Sequence, residues 1–205
     1  MNLWQQIKSI FEESSRDVQI IEGFEGKGKE ENSCMKISSE SSLGTIIEHT
    51  QGIVIDNWVY VLGQSSDRSA GVIDFNKRMG YEFAGMRIVA VDVVGGIYAI
   101  KTGRFRKGAG LVWYYAPDTI QWECLKYKYS EFLVWLAQGD LSEYYKSMRW
   151  SGWENDVRDV DLPNEGMLIY PYLWAKECDI ETATKKVVPL KELIGQNLEF
   201  EKKFG

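Results

Sequence analysis

From Gly44 onward, apolar and polar residues alternate at a spacing of two, broken by short turn-forming groups. TIIEHT (45–50), GIVID (52–56) and WVYVLG (58–63) read as a three-stranded meander, the last two joined by a tight turn at Asp56 and Asn57. Strands are predicted again over Ile88 to Val91 and Ile97 to Lys101. They are linked through Asp92, Val93, Val94, Gly95 and Gly96, where the paired glycines are expected to supply positive φ without a steric cost. A further strand, Leu111 to Tyr115, enters the turn Ala116-Pro117-Asp118-Thr119. Between the two strand groups, Ser65 to Met86 is less regular, and Phe75, Met79, Tyr81 and Phe83 are expected to dock it on the core.

Elsewhere the apolar spacing is helical. Asn2 is placed to cap a first helix on which Leu3, Ile7, Ile10 and Phe11 form one stripe. After Trp122 the pattern turns helical again, and Phe132, Leu133, Trp135 and Leu136 mark a buried stripe from about Tyr129 to Gln138, ended by Gly139. Asp140 with Glu143, and Ser151 with Glu154, have the spacing of capping boxes. MLIYPYLW returns to strand character, which Pro171 confines to a strand end or an edge. Pro189 opens a C-terminal helix with Leu190, Leu193, Ile194 and Leu198 inward. Residues 22–42 are rich in Gly, Glu, Lys and Ser and read as a mobile loop. The order of elements predicts one α+β domain over residues 1–205, a mostly antiparallel sheet flanked by helices.

Composition narrows the partners. A net charge of −6 opposes binding to nucleic acid or an anionic membrane, which depends on clustered Lys and Arg. The three cysteines, Cys34, Cys124 and Cys178, are far apart and form no CxxC, so no disulfide framework or zinc site is expected and a reducing cytosol fits. The N-terminal MNLWQQIKSIFEESS lacks the basic and uninterrupted apolar regions of a signal peptide, and no apolar run reaches the ~18 residues that span a bilayer. A cytoplasmic location is the expectation.

Candidate chemistry is sparse. His49, the single histidine, sits on the TIIEHT segment with no nucleophile or carboxylate spaced around it as a catalytic partner. Gly108-Ala109-Gly110 lacks the Lys-Ser/Thr and helix start of a phosphate loop, so it reads as a hairpin turn beside the basic group Lys101, Arg104, Arg106 and Lys107. Asp92, Asp118 and Glu123 stand at strand ends, where acids converge in metal or glycosidase sites, although turn aspartates normally bond their own backbone. Tyr144, Tyr145, Trp150 and Trp153 with Arg149 have the residue types of interface hot spots, which also serve core packing.

These segments also carry a resemblance. DVVGGIYAI, VWYYAPDTIQWE, YSEFLVWLAQGDLSEYYKSMRWSGWE and YPYLWAKE resemble a family of bacterial single-domain proteins of unknown function over roughly residues 42–192. That family has a DD-x-x-GGFFAI-like hairpin, a YYFAPD-x-x-W-like strand and a YS-x-FL-x-W-like helix followed by FY-x-x-x-RW-x-GW. The chain departs from it in having Val91 where the family often carries a second acid, and Lys101-Thr102-Gly103 where it tends to have Asn-Gly-Gly. More distantly, the order strand, glycine turn, strand and Ser-x-x-Phe-Leu-like helix resembles the SUKH superfamily of α+β proteins. It includes bacterial immunity proteins that bind toxins and a regulator of yeast cell-wall synthesis.

The resemblance implies protein binding, with immunity-type toxin neutralisation as one form of it. The acidic balance suits a basic protein partner, since complementary potentials speed encounter. No catalytic residue, cofactor or metal is assigned. The candidate binding residues are Asp92, Asp118, Trp122, Glu123, Tyr145, Arg149, Trp150 and Trp153. The competing expectation is an enzyme or small-ligand binder in which Asp92, Asp118 and Glu123 share a pocket.

Overall fold

In the computed structural model, which describes residues 2–80, 85–102 and 108–204, seven strands form one sheet in which each pairs antiparallel with the next in sequence. They are β1 (Val18–Glu22), β2 (Thr50–Ile55), β3 (Val59–Leu62), β4 (Met86–Asp92), β5 (Ile97–Lys101), β6 (Leu111–Ala116) and β7 (Gln121–Lys128). The middle strands are buried almost throughout, because helices cover both faces. On β6, Tyr114 and Tyr115 point to opposite faces. Tyr114 faces the side on which Phe132 of α5 (Tyr129–Gln138) packs against Tyr98, its register partner on β5. The Tyr115 hydroxyl on the other side donates to the carbonyl of Asn197 in α8 (Leu190–Phe204) at 2.9 Å. Helices α1 (Leu3–Glu12) and α3 (Ser42–His49) pack beside α5, and a hairpin of β8 (Glu165–Tyr170) and β9 (Thr184–Pro189) packs against α8. This is the α+β architecture expected, with an antiparallel sheet flanked by helices.

Local rules account for the ends of these elements. The Asn2 side chain accepts from the Gln5 N–H at 2.8 Å while Gln5 Oε1 accepts from the Asn2 N–H at 3.0 Å, so two of the orphan donors at the start of α1 are satisfied. β3 pairs with β4 only over Val59–Val61, which leaves the main chain at Ile88 without a strand partner on that side. Asn76 of α4 (Val72–Met79) fills the gap: it donates to the Ile88 carbonyl and accepts from its N–H, both at 2.9 Å. Phe75 and Met79 of the same helix are buried, as expected; Tyr81, Phe83, Gly103, Arg104, Arg106 and Lys107 lie outside the described residues.

Several expectations are corrected. TIIEHT is not a strand but most of α3, capped by Ser41, whose Oγ accepts from the Gly44 N–H at 3.0 Å. Six residues are too few to separate a period of two from 3.6, and the cap decides it. The strand beside β2 is instead VQIIE, which becomes β1. The helix expected from about Tyr129 to Gln138 is α5 as it stands, but the stretch from Trp122 to Lys128 is part of β7 and not helical. Ser151 does not cap α7 (Trp153–Asp156); its N–H donates to the Glu181 carboxylate, and Gly152 at φ 80 leads into the helix. Asp140 does cap α6 (Leu141–Tyr144), accepting from the Glu143 N–H at 3.0 Å.

Residues 22–42, read as a loop, contain α2 (Lys27–Met35). Its anchors are polar, which is why composition hid it. Asn32 Nδ2 donates to the Gly44 carbonyl at 2.9 Å, and a Cβ on Gly28 would lie 2.2 Å from the Ile47 carbonyl oxygen, so the helix lies directly on α3. Glu31 is buried, and its carboxylate accepts from the Ser65 N–H at 3.1 and 3.2 Å while burial raises its pKa. Glu31→Ala is expected to lower stability by about 1–3 kcal/mol, read from the urea midpoint, and to make residues 22–42 the first target of limited proteolysis.

Candidate functional site

The turn from β4 to β5 is built around one carboxylate. Asp92 is fully buried, and its Oδ1 accepts from the N–H groups of Val94 at 3.1 Å and Gly96 at 2.7 Å. Its Oδ2 accepts from the hydroxyls of Tyr114 at 2.7 Å and Tyr145 at 3.2 Å. The Tyr145 hydroxyl also shares a short hydrogen bond with that of Tyr98. Burial pushes the Asp92 carboxyl up to about 6, while the four donors pull it down. The glycines differ from expectation. Gly95 has φ 90, but Gly96 does not adopt positive φ; a Cβ there would lie 2.1 Å from Asp92 Oδ2 and 2.4 Å from the Tyr114 hydroxyl. Gly96 is needed for close approach, not for its backbone freedom.

The three candidate acids do not converge on a cavity. Asp118, in the turn from β6 to β7, accepts from Ser147 Oγ at 2.8 Å. Glu123 is exposed on β7, and partial burial together with the charge of Asp118 raises its pKa, so these two lie near each other. Glu123 pairs with Tyr114 across the strands, and Tyr114 turns its hydroxyl inward to Asp92, which solvent does not reach. Trp122 faces away from all three: it pairs with Tyr115 on the other side of the sheet, their ring centroids 5.5 Å apart.

Tyr145, Arg149, Trp150 and Trp153 do come together, and they gather around a residue that sequence reasoning did not single out, Trp58. Trp58 is fully buried behind the β2–β3 turn, where Asp56 and Asn57 have φ 53 and 48. The Arg149 guanidinium lies 4.8 Å over Trp58, 5.2 Å over Tyr145 and 4.0 Å over Trp153. Such contacts contribute roughly 0.5–2 kcal/mol each. Burial lowers the Arg149 pKa, opposed by Tyr145 and Asp56. The Trp150 Nε1–H donates to Asp156 at 2.6 Å. This cluster ties the 145–157 segment to the sheet through packing.

One open part of the surface lies on the side of His49. His49 ends α3 exposed, its ring stacked on Trp4 at 4.9 Å and 9°. Two adjoining grooves share His49 and Gly23. One, of about 450 Å³, runs between Trp4, Lys8 and Glu12 of α1 and Val18, Ile20 and Glu22 of β1. The other, of about 310 Å³, is lined by Phe24, Glu25, Lys29 and Glu48. Gln64 holds the junction, accepting from the Phe24 N–H at 2.7 Å. The grooves thus carry four carboxylates against two lysines, and Phe24 is 51% exposed. Sequence reasoning missed this site because it placed His49 on a strand and residues 22–42 in a loop; the signals available were the cap at Ser41 and the clustering of Glu residues around Gly23.

Among the described residues no group of three or more His, Cys, Asp or Glu is arranged to hold a metal ion, and no helix is long and apolar enough to cross a membrane. Cys34, Cys124 and Cys178 are free.

Known proteins give the chain relatives but no activity. It is 36% identical over 163 residues to the putative uncharacterized protein YbfG of Escherichia coli (strain K12), covering 78% of this chain and 73% of that one. An uncharacterized protein of Haemophilus influenzae is 27% identical over 164 residues, covering 77% and 72%. No solved structure matches at a significant level. The segments DVVGGIYAI and YSEFLVWLAQG, which form the Asp92 turn and α5, lie inside a match that spans residues 2–193, and the chain belongs to the family described as protein of unknown function DUF2625.

Proposed function

We propose that the protein is a non-enzymatic protein-binding module that recognises a basic protein partner, in the manner of an immunity protein neutralising a toxin, and works in the cytoplasm. The observation that carries this reading is the exposed pair of grooves around His49, where Glu12, Glu22, Glu25 and Glu48 face Lys8 and Lys29. A net charge of −6 adds a long-range field of the same sign. The exposed Phe24 and half-buried Trp4 supply the aromatic surface that carries energy in interfaces. The distant resemblance to the SUKH superfamily points to the same class of function.

The enzyme reading has less support. Its central acid, Asp92, is enclosed by two main-chain and two tyrosine donors, so a substrate has no access to it. The immobilised protein is expected to retain a basic protein from its native cytosol at low salt, and Glu22→Lys with Glu48→Lys to release it. Retention that is indifferent to this double charge reversal would count against the acidic grooves as the binding surface.

A further inference from the structure

β1 is an edge strand, and grooves open on both of its faces. Val18, Ile20 and Glu22 line the groove beside α1, while Gln19 and Ile21 line a second one, of about 350 Å³, whose far wall is the segment Arg158–Leu162. The division into even and odd residues is the alternation of a strand, so the two grooves flank its free edge on opposite sides. The main chain at that edge can be assigned. The Asp56 N–H donates to the Asp17 carbonyl at 2.7 Å, so Asp17 points its polar groups toward β2. Alternation along an antiparallel strand then turns Gln19 and Ile21 the same way, and leaves the N–H and C=O groups of Val18 and Ile20 pointing outward. Among the described residues no strand pairs with that edge.

We infer that β1 accepts an extended segment of the basic partner as an eighth strand of the sheet; this rests on the binding-module reading and adds how the partner is held. The added strand would hydrogen-bond to Val18 and Ile20, and its alternate side chains would enter the two grooves. Apolar side chains line both grooves, Val18 and Ile20 in one and Ile21, Val160 and Leu162 in the other. Acids outnumber bases in both linings: Glu12 and Glu22 against Lys8, and Asp159 and Asp161 against Arg158. A segment that alternates apolar and basic residues matches both the period and the charge.

The probe is a short blocked peptide alternating lysine and valine, with a glutamate and valine peptide as its counterpart, titrated into the full chain while backbone amide signals are followed. The lysine peptide is expected to shift the amides of residues 18–22, and the acidic one to leave them unchanged. Of the main chain's hydrogen bonding, Ile20→Pro removes only an outward N–H, which an edge strand tolerates, and is expected to weaken the peptide by at least about tenfold. Ile20→Ala truncates the same side chain but keeps the donor, and is expected to stay within about threefold. Thermal unfolding of both variants checks that the sheet is intact, and Val18→Pro repeats the test at the strand's first residue. Binding that survives Ile20→Pro and Val18→Pro in folded protein would overturn strand addition while leaving acidic-surface binding standing. Absence of lysine-peptide binding, equal binding of the acidic peptide, or a self-associated chain that Ile20→Pro converts to monomer would also overturn it. Failure of the wild-type protein to retain any basic protein is the separate result that removes the underlying reading.

Discussion

Asp92→Ala is expected to destabilise the protein by about 2–4 kcal/mol at neutral pH, because it strands two buried N–H groups and two tyrosine hydroxyls that now share one carboxylate. Asp92→Asn is expected to cost less, about 1 kcal/mol, since its carbonyl can keep the Val94 and Gly96 donors and the tyrosine hydroxyls can rotate to accept from its amide. The pair separates the shape of the centre from its charge. The folded carboxyl titrates near 6, above the ordinary range near 3.8, so the folded state holds a proton that the unfolded chain has already lost. The stability contributed by that proton is fully present below the unfolded value and is lost as pH rises through about 4 to 6, after which it is flat; the loss is on the order of 3 kcal/mol. Urea unfolding at a series of pH values should show this fall in wild type and not in Asp92→Asn. Parallel curves for the two proteins would mean that Asp92 is not the titrating group.

Gly96→Ala is expected to be at least as damaging, about 3–5 kcal/mol. The new methyl would have to displace Asp92 Oδ2 and the Tyr114 hydroxyl in a centre packed against Tyr98, Tyr145 and Phe132, all of them fully buried. A positive-φ explanation forecasts only the smaller strain of a left-handed residue, about 1–3 kcal/mol. The two accounts also differ in coupling. If the collision is with Asp92, then Gly96→Ala should cost at least about 1 kcal/mol less in the Asp92→Ala background than in wild type. Additive losses would locate the damage elsewhere.

Much of the fold could be read from the chain where a long pattern and a local punctuation mark agreed. The β4–β5–β6 strands, the Asp56-Asn57 turn, α5 and the inward face of α8 all have both. The failures share a physical cause. TIIEHT and VQIIE are too short for periodicity to decide, so the capping oxygen of Ser41 and the edge of β2 decided them. The helix α2 is held by Glu31 and Asn32, whose burial only tertiary structure reveals. Of the candidate site, the aromatic group around Arg149 was visible as a run in sequence, but Trp58 completes it from about ninety residues away. Asp92 was singled out for its position at a strand end. Its burial depends on Tyr114 arriving from β6 and Tyr145 from the end of α6. The acidic grooves were invisible because they form only when α1, β1 and the 23–26 segment meet at His49.

The claim that function resides on the acidic surface, and not at the buried carboxylate, is tested most directly by the association rate of the retained basic partner as a function of ionic strength, with wild type and Asp92→Asn side by side. Exposed charges are screened over roughly 8 Å at physiological salt. The rate is therefore expected to fall steeply as salt is raised, by the same factor in both proteins. A rate that does not change with salt, or one that collapses in folded Asp92→Asn, would contradict it.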